Sequence, residues 1–455
     1  MDYQTVLDDI KPTVMEESEV QKASGMLLDY LNALCREENI DAEAVLVGSV
    51  AKGTYLRGKS DIDIFMAFPL SLDVKVLKQK GLYLAHKCCS HFNSTPMHQF
   101  ASHPYVTSDI GKYNVDFVPC YRIDDGSQLK SAVDRSILHT KYIQANLNQE
   151  QRDEVLLLKR FMDMTGTYGS EFKVGGFAGY LCELLIVEYG TFENTLNEAS
   201  NWQYGHVIDL KDYGTAKQFK DPLICIDPTD KNRNVGAALR LDKFSQFIQS
   251  ARNYLKSKNK KDYFYPLSRD ISKEDILNEF ASHEGSVLAI KFDIPDIPQD
   301  TLHPQLKKTT DSFKRVLNKN DFLVFQTGYW TDEENIAVIL IELAVSKLNK
   351  IKIHTGPRIF YKQACHNFIE KFGLENCYVL DDYMVLNVER EFTEPDEFIK
   401  HILTPKHISL VKIGKNLTKK LLNTYELLSL DELAKNDDFL VFLDDFLNPN
   451  QHIKR

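Results

Sequence analysis

Several features are missing from this 455-residue sequence, and each absence excludes something. None of its eight cysteines forms a CxxC pair, and Cys88 and Cys89 stand side by side, a poor arrangement for joint zinc ligation. Neither a structural zinc nor a disulfide framework is indicated, and a reduced cytoplasmic protein is expected. No run approaches the ~18 apolar residues of a membrane span. The most apolar helical stretch, Gly176–Gly190, itself contains Glu183 and Glu188. The acidic N-terminus lacks a signal-peptide pattern. There is no internal repeat and no low-complexity linker. Positive charge is not in excess: 55 Lys and Arg face 65 Asp and Glu, for a net charge of −10. That argues against a generic basic coat for nucleic acid. It leaves room for local RNA binding, which depends on phosphate neutralisation at one surface.

What is present is ordinary globular composition, 43% hydrophobic and 26% charged, at a length that suggests about three domains. Helical spacing of apolar residues runs over about Glu17–Cys35 and 71–90. EAVLVGS (Glu43–Ser49), DIDIFMAF (Asp61–Phe68) and YNVDFVPCY (Tyr113–Tyr121) read as strands, the last stopped by Pro119. Helices are predicted over 131–146, 150–165 and 176–189. Lys231–Leu255 reads as a polar loop entering an amphipathic helix, and Lys256–Asp262 as a linker. Beyond it, GSVLAIKFDI, DFLVFQTGYW, NIAVILIELAV and CYVLDDYMVLNV read as strands, Leu302–Leu317 as a helix, and the last ~60 residues as mainly helical.

The chemistry concentrates in GSVAKGTYLRGKSDIDIF (Gly48–Phe65). Asp61 and Asp63 lie two apart on a predicted strand, so both side chains leave one face. Paired carboxylates repel unless a cation neutralises them, and hard oxygen ligands favour Mg²⁺. Asp116, centred on another predicted strand, is a third. Three such acids can hold two metals about 3.5–4 Å apart, one activating a hydroxyl and one holding a triphosphate. Gly48 and Ser49, at the end of a strand before a helix, offer backbone N–H groups and a hydroxyl to phosphate oxygens, and Lys52 adds charge one turn on. A lone DxD is more often a solvated strand edge, and a lone Gly-Ser is weaker still. The ordered set, each piece on a suitable element, is far more specific.

This GS…DxD pattern with a remote strand Asp resembles the DNA polymerase β nucleotidyltransferase superfamily. HPYV (His103–Val106), VDFVPCYR (Val115–Arg122), SAVDRS..H (Ser131–His139), LLLKRF (Leu156–Phe161), Tyr168–Gly190 and DPTDKNRNV (Asp227–Val235) look, within it, like the archaeal-type (class I) CCA-adding tRNA nucleotidyltransferases. The resemblance is dense over about 40–255 and thinner beyond, with islands at Leu302–Leu306 and Ile413–Asn416. It implies addition of CCA to tRNA 3′ ends from CTP and ATP without a nucleic-acid template. By resemblance, Asp61, Asp63 and Asp116 would bind metal and Ser49 and Lys52 would touch the triphosphate. His139, Lys159 and Tyr168 would lie around the nucleotide and its phosphates, Ser136 near the ribose, and Arg233 at the base. Taken singly, Lys159 reads as a snorkelling surface lysine, Tyr168 as a core or interface aromatic, His139 as a surface or capping histidine and Arg233 as part of a solvated loop. The helix in Gly176–Gly190 reads as buried support. Lys52 stands where the family would have Arg, Asp61 where Glu is frequent, and Gly175 where Arg would be unsurprising.

The expected architecture is a multidomain α/β (α+β) chain. It has a polymerase-β-like nucleotidyltransferase head at 1–147, a helical neck at 148–258, an α+β RNA-binding tail at 259–390 and a helical C-terminal region at 391–455. The tRNA acceptor–TΨC arm, an A-form rod read through shape and phosphates, calls for spaced basic residues. The candidates are Lys256, Lys258, Lys260 and Lys261, then Lys307, Lys308, Lys314 and Arg315, then Lys406, Lys412 and Lys415. The last three lie in 401–420, which holds five lysines and no acid. A homodimer through the tail is a family-level expectation. The rivals are an ATP-only poly(A) polymerase or oligoadenylate synthetase, a non-catalytic RNA-binding protein on the same fold, and small-molecule nucleotidyl transfer.

Overall fold

The computed structural model describes residues 3–100, 104–267, 271–449, 451–453 and 455; His103 of the HPYV motif lies outside these. The chain forms two compact units, residues 1–268 with 450–455, and residues 269–449.

The first unit begins with α1 (Gln4–Ile10) and the long α2 (Val14–Glu37), which is started by a capping box between Thr13 and Glu16. Strand β1 (Glu43–Val47) runs directly into the short α3 (Gly48–Lys52), and β2 (Ile62–Phe68) follows. Then come α4 (Val74–His91), β3 (Met97–Phe100), β4 (Pro104–Ile110) and β5 (Tyr113–Tyr121). The five strands form one sheet in the order β1-β2-β5-β4-β3. Its central pair, β2 and β5, is parallel. Alternation along β2 and β5 sorts their side chains. Ile62, Ile64, Val115 and Phe117 join the core beneath α2 and α4. Phe65, Ala67, Val118 and Cys120 pack on the other face with Val47 and Ile137. Asp63 and Asp116 share the parity of this second set and leave that same face.

Five helices follow: α5 (Arg135–Asn146), α6 (Gln149–Met164), α7 (Gly179–Tyr189), α8 (Phe192–Ala199) and α9 (Leu241–Lys256). Between α8 and α9 lie β6 (His206–Ile208), β7 (Leu223–Asp227) and β8 (Asp230–Asn234), forming a small sheet. One large apolar cluster joins α1, α6, α7, α8 and α9 around Phe161, Phe192, Phe247 and Tyr254.

The second unit contains α10 (Lys273–Ser282), β9 (Ser286–Asp293), α11 (Gln299–Lys319), β10 (Val324–Thr331) and β11 (Ile336–Leu343). Next come β12 (Ile351–Arg358), α12 (Lys362–Phe372), β13 (Cys377–Leu380), β14 (Tyr383–Glu389) and α13 (Pro395–Ile402). It ends with α14 (Thr418–Thr424), β15 (Glu426–Leu428), α15 (Leu430–Leu433) and α16 (Asp437–Leu447). Its main sheet, β10-β11-β9-β15, is covered on one face by α11 and α13 and on the other by α10 and α16. This is why Ala337–Leu343 of β11 is continuously buried. A separate sheet, β12-β14-β13, packs with α12.

Several local expectations are corrected. Asp61 is exposed and stands just ahead of β2 rather than on it. Pro119 does not stop β5, which stays paired to β2 through Tyr121, although the β4–β5 pairing ends at Phe117. The polar stretch after Lys231 is largely strand β8, paired to β7. Lys260–Phe264 is a 3₁₀ turn whose Tyr263 and Phe264 are buried in this large apolar cluster, so Lys256–Asp262 is not a free linker. Cys377–Val388 is a hairpin, turned at Asp381 with φ 51°, rather than one strand. Strand β12 and helix α12 are not among the expected elements, although Cys365, Phe368, Ile369 and Phe372 stand at helical spacing along α12. The final region also contributes β15 to a sheet.

Candidate active site

The register of the central sheet builds the acid site. Asp63 on β2 lies directly opposite Asp116 on β5, and Val47, the last residue of β1, lies opposite Asp63 on its other side. Gly48, with φ +75°, turns the chain out of β1 into α3 directly over Asp63. A Cβ at position 48 would collide with the Asp63 carboxylate, so only glycine permits this approach. Thr107 of β4, opposite Asp116, donates its hydroxyl to Asp116 Oδ1 at 2.5 Å. Burial, then Asp116 and Asp61, push the Asp63 carboxyl up to about 7, while Lys52 pulls the other way. Burial and Asp61 also raise Asp116, against the Thr107 bond. The three acids therefore feel one another. Among the described residues no three His, Cys, Asp or Glu side chains converge into a complete metal cage. Two half-buried, mutually repelling carboxylates with a third at the rim still fit a hard divalent cation whose remaining ligands come from phosphate and water.

Beside this site two lysines share one carboxylate. Lys52, at the end of α3, is 7% exposed, and its Nζ lies 2.5 Å from Glu183 Oε2 on α7. Lys159 of α6 is 2% exposed; it donates to the Thr54 carbonyl at 2.7 Å and lies 3.6 Å from Glu183 Oε1. Lys159 is therefore not a surface lysine. Thr54 Oγ1 donates to Glu183 Oε1 at 2.5 Å. Burial would raise the Glu183 carboxyl, but Lys52, Lys159 and Thr54 outweigh it and hold it low. Tyr168 is brought in by a bridge between its backbone and Phe177. A Cβ on Gly179, which opens α7, would sit 3.3 Å from the Tyr168 hydroxyl and 3.6 Å from Lys159 Nζ. Tyr168 and Lys159 thus meet at the start of that helix.

A third cluster centres on Asp227, fully buried at the end of β7. His139 Nε2 lies 2.8 Å from Asp227 Oδ2, and Arg233 of β8 donates to the same oxygen at 2.7 Å. Thr229 donates its N–H and hydroxyl to Oδ1 at 2.9 and 2.8 Å. The His139 ring stacks on Tyr180, with centroids 3.9 Å apart. Burial pushes the His139 imidazole down, with Arg233 and Lys52 adding to it against Asp227. Burial would raise Asp227, yet its bonds from His139, Thr229 and Arg233 hold it well below the carboxylate range. Helix α5, which carries Ser136 and His139, is fixed at its start. Buried Asp134 accepts the N–H groups of Tyr121, Lys130 and Ser131, and Arg135 forks onto Asp230 at 3.0 and 2.9 Å.

The structure thus gathers Gly48, Asp63, Asp116 and Lys52, then Lys159 with Tyr168, then His139 with Arg233; Ser49 sits half-buried beside Gly48 and Ser136 on the first turn of α5. The sequence reading gave no role to Glu183, Asp227, Thr54, Tyr180 or Thr107. Glu183 carried one signal, a carboxylate inside the most apolar helix, which has to find a partner.

In the second unit, Lys307, Lys308, Lys314 and Arg315 line one groove along α11 with Pro304 and Asp311. Lys307 pairs with Asp311 at 3.1 Å. The segment after 411 is strapped onto the same helix. The N–H groups of Lys412, Gly414 and Asn416 donate to Ser312 Oγ, Thr309 Oγ1 and Gln305 Oε1 at 2.8, 3.0 and 2.9 Å. Lys406, Lys412 and Lys415 are exposed.

A mixed sheet with paired acids under a glycine turn defines a nucleotidyltransferase head, and residues 28–139 match the nucleotidyltransferase domain family. Residues 153–265 match the second domain of tRNA nucleotidyltransferases, and 284–430 the C-terminal domain of CCA-adding enzymes. The chain is 42% identical to a CCA-adding enzyme of Methanothermobacter thermautotrophicus, over 100% of this chain and 99% of that one. It is 36% identical to that of Methanosarcina mazei, over 96% of each. It is also 36% identical to that of Methanocaldococcus jannaschii, over 88% of this chain and 89% of the other. The chain belongs to the family of CCA-adding enzymes. Nucleotidyltransferases of this family use divalent metal ions.

Proposed function

We propose that this chain completes tRNA by adding CCA from CTP and ATP at the face of the head sheet that carries Asp63 and Asp116. CCA addition to tRNA is the reaction of its family. The observation that carries the assignment of residues is the register that sets Asp63 opposite Asp116 beneath Gly48.

Asp61, Asp63 and Asp116 would hold Mg²⁺, which when bound supplies Lewis-acid stabilisation of phosphoryl oxygens and a more acidic hydroxyl. Ser49 and the backbone at Gly48 orient the triphosphate, with Lys52, Lys159 and Tyr168 donating to its oxygens. His139 and Ser136 lie toward phosphates and ribose. Arg233, held by Asp227, presents a planar donor fork to acceptor groups shared by cytosine and adenine. The tRNA 3′-hydroxyl attacks the α-phosphate in line and pyrophosphate leaves. Asp116, its oxygen held by Thr107, is the group nearest in role to activating that hydroxyl.

The tRNA acceptor–TΨC arm is read by the basic surface of α11 and its strap, Lys307, Lys308, Lys314, Arg315, Lys406, Lys412 and Lys415. The working division is a catalytic head at 1–147, a nucleotide-recognition neck at 148–258, and RNA-binding tail regions at 259–390 and 391–455. Exposed Ile351, Ile353, Val379 and Leu380 on β12 and β13 support a homodimer through the tail. Eight free thiols support a cytoplasmic location.

The test is extension of a tRNA transcript lacking CCA, with Mg²⁺ and CTP alone, ATP alone or both. Two C and one A, lost in Asp116→Ala, are expected. ATP-only tailing, or no extension by folded protein that binds tRNA, overturns the proposal.

A further inference from the structure

The Lys52–Glu183–Lys159 cluster carries a charge balance that nucleotide contact alone does not require. Two ammonium groups and one carboxylate are buried together, Glu183 being 0% exposed. The cluster holds one net positive charge. Its members come from different pieces of chain: Lys52 ends α3, Thr54 follows it, Lys159 is on α6 and Glu183 on α7. A buried ammonium without a counter-charge sheds its proton, because the neutral amine is cheaper to desolvate. Burial already pushes Lys159 down, with Lys52 adding to the effect and Glu183 opposing it. The other titratable groups facing the cluster are Tyr168, Tyr180, Cys182, His139 and Asp63. Apart from Asp63, none of them supplies a carboxylate to either lysine.

We propose that Glu183 is the positioning residue of the triphosphate site. Its carboxylate offsets one of the two buried ammonium charges and ties α3 to α6 and α7, so that the lysine pair meets the nucleotide with one net positive charge. Glu183 acts only through the two lysines and does not touch the substrate. Thr54 donates to one of its oxygens and Lys52 to the other, which orients the carboxylate, while Lys159 is held beside it by the Thr54 carbonyl. The proposal rests on the assignment of Lys52 and Lys159 to the triphosphate made above.

The test uses the full-length enzyme and four forms: wild type, Glu183→Gln, Lys159→Met and the double variant Glu183→Gln/Lys159→Met. KM and kcat for CTP and ATP are measured on tRNA lacking CCA at pH 6.5 and 8.5, with thermal unfolding alongside. Gln keeps the shape of Glu and still accepts from Thr54. With Glu183→Gln the KM for both nucleotides should rise about tenfold at pH 8.5 and less at pH 6.5, where the lysine regains its proton, with KM for tRNA unchanged. A purely structural role would not move the KM with pH. The double variant restores the wild-type charge of the cluster. It should recover the thermal stability that Glu183→Gln loses while keeping the raised nucleotide KM. If Glu183→Gln does not fold, recovery of folded protein in the double variant supports the proposal, and an equally unfolded double variant overturns it. If Lys159→Met raises the nucleotide KM and folded Glu183→Gln does not, the role of Glu183 is overturned while the site assignment stands. If Lys159→Met leaves nucleotide KM unchanged, the assignment itself fails, and the proposal with it.

Discussion

Asp63, half-buried, and Asp227, fully buried, are carboxylates on strands of the same unit, and their surroundings drive them in opposite directions. Asp227 accepts from Arg233, His139 and Thr229, and burial only sharpens those bonds. Asp63 faces Asp116 and Asp61, and burial adds to their repulsion. One site is electrostatically complete and behaves as an anchor. The other is incomplete and, on the function proposed above, would serve as a dock for a cation. Burial alone does not say which role a buried acid has; the sign of its neighbours does. Glu183 lies on the completed side, with two ammonium groups and a hydroxyl around it.

The strongest way to break the comparison is to remove the acids in turn. Asp116→Ala should lower CCA addition by about 10³-fold or more, the scale of losing electrostatic stabilisation at a reacting phosphate. Its metal-free protein should unfold no earlier than wild type, because a repulsion has been removed. Gel-resolved extension of tRNA and calorimetry read the two halves separately. Asp227→Ala should do the reverse in stability, costing about 1–3 kcal/mol in urea unfolding by leaving His139 and Thr229 without their acceptor. A stable Asp227→Ala protein would contradict the anchor reading.

The pH dependence of stability sharpens the same contrast. The Asp63 carboxyl, up at about 7 in the folded state against an ordinary 3.8, binds its proton more tightly when folded. In metal-free protein it therefore subtracts nothing below pH ~4, subtracts progressively from there to about 7, and fully above that. Added Mg²⁺ should remove this loss at pH 8. Asp227 is held low, so its contribution is complete above the ordinary carboxylate range and lost only in acid. Urea unfolding between pH 4 and 8, with and without Mg²⁺, checks both signs. Stability of metal-free protein that rises from pH 5 to 8 in wild type but not in Asp227→Asn would reverse the roles.

The smallest expected effect lies in the second unit. Replacing Lys308, Lys314 and Arg315 with Ala should weaken tRNA binding and reduce its salt dependence by up to about one unit of slope per lost phosphate contact, leaving KM for CTP and ATP unchanged. Lys307 should contribute less, since Asp311 already engages it. Filter binding at several salt concentrations measures this directly.

The main strands and helices were legible because their periods are strong: β2 and β5 by alternation, α2, α6 and α11 by helical spacing. α12 was legible in principle from Cys365, Phe368, Ile369 and Phe372 at helical spacing, whereas in β12 only Ile351 and Ile353 alternate before Gly356 and Pro357. Asp61 was misplaced by one residue at a strand end, where local pattern is weakest. Asp63, Asp116 and Gly48 could be found from order and residue type. Glu183 and Asp227 could not be given roles, since Lys52 and His139, partners that set their charge balance, lie 131 and 88 residues away in the chain.

By itself, then, the sequence determined which residue types were available and on which elements they would ride, because local period and turn chemistry act over a few residues. Only the tertiary structure decided which charges would meet. The parallel pairing of β2 with β5 set acid against acid, while the packing of α3 and α6 on α7, and of β7 beside α5, set acid against base. Coulomb energy in a dry interior depends on those distances and not on separation along the chain.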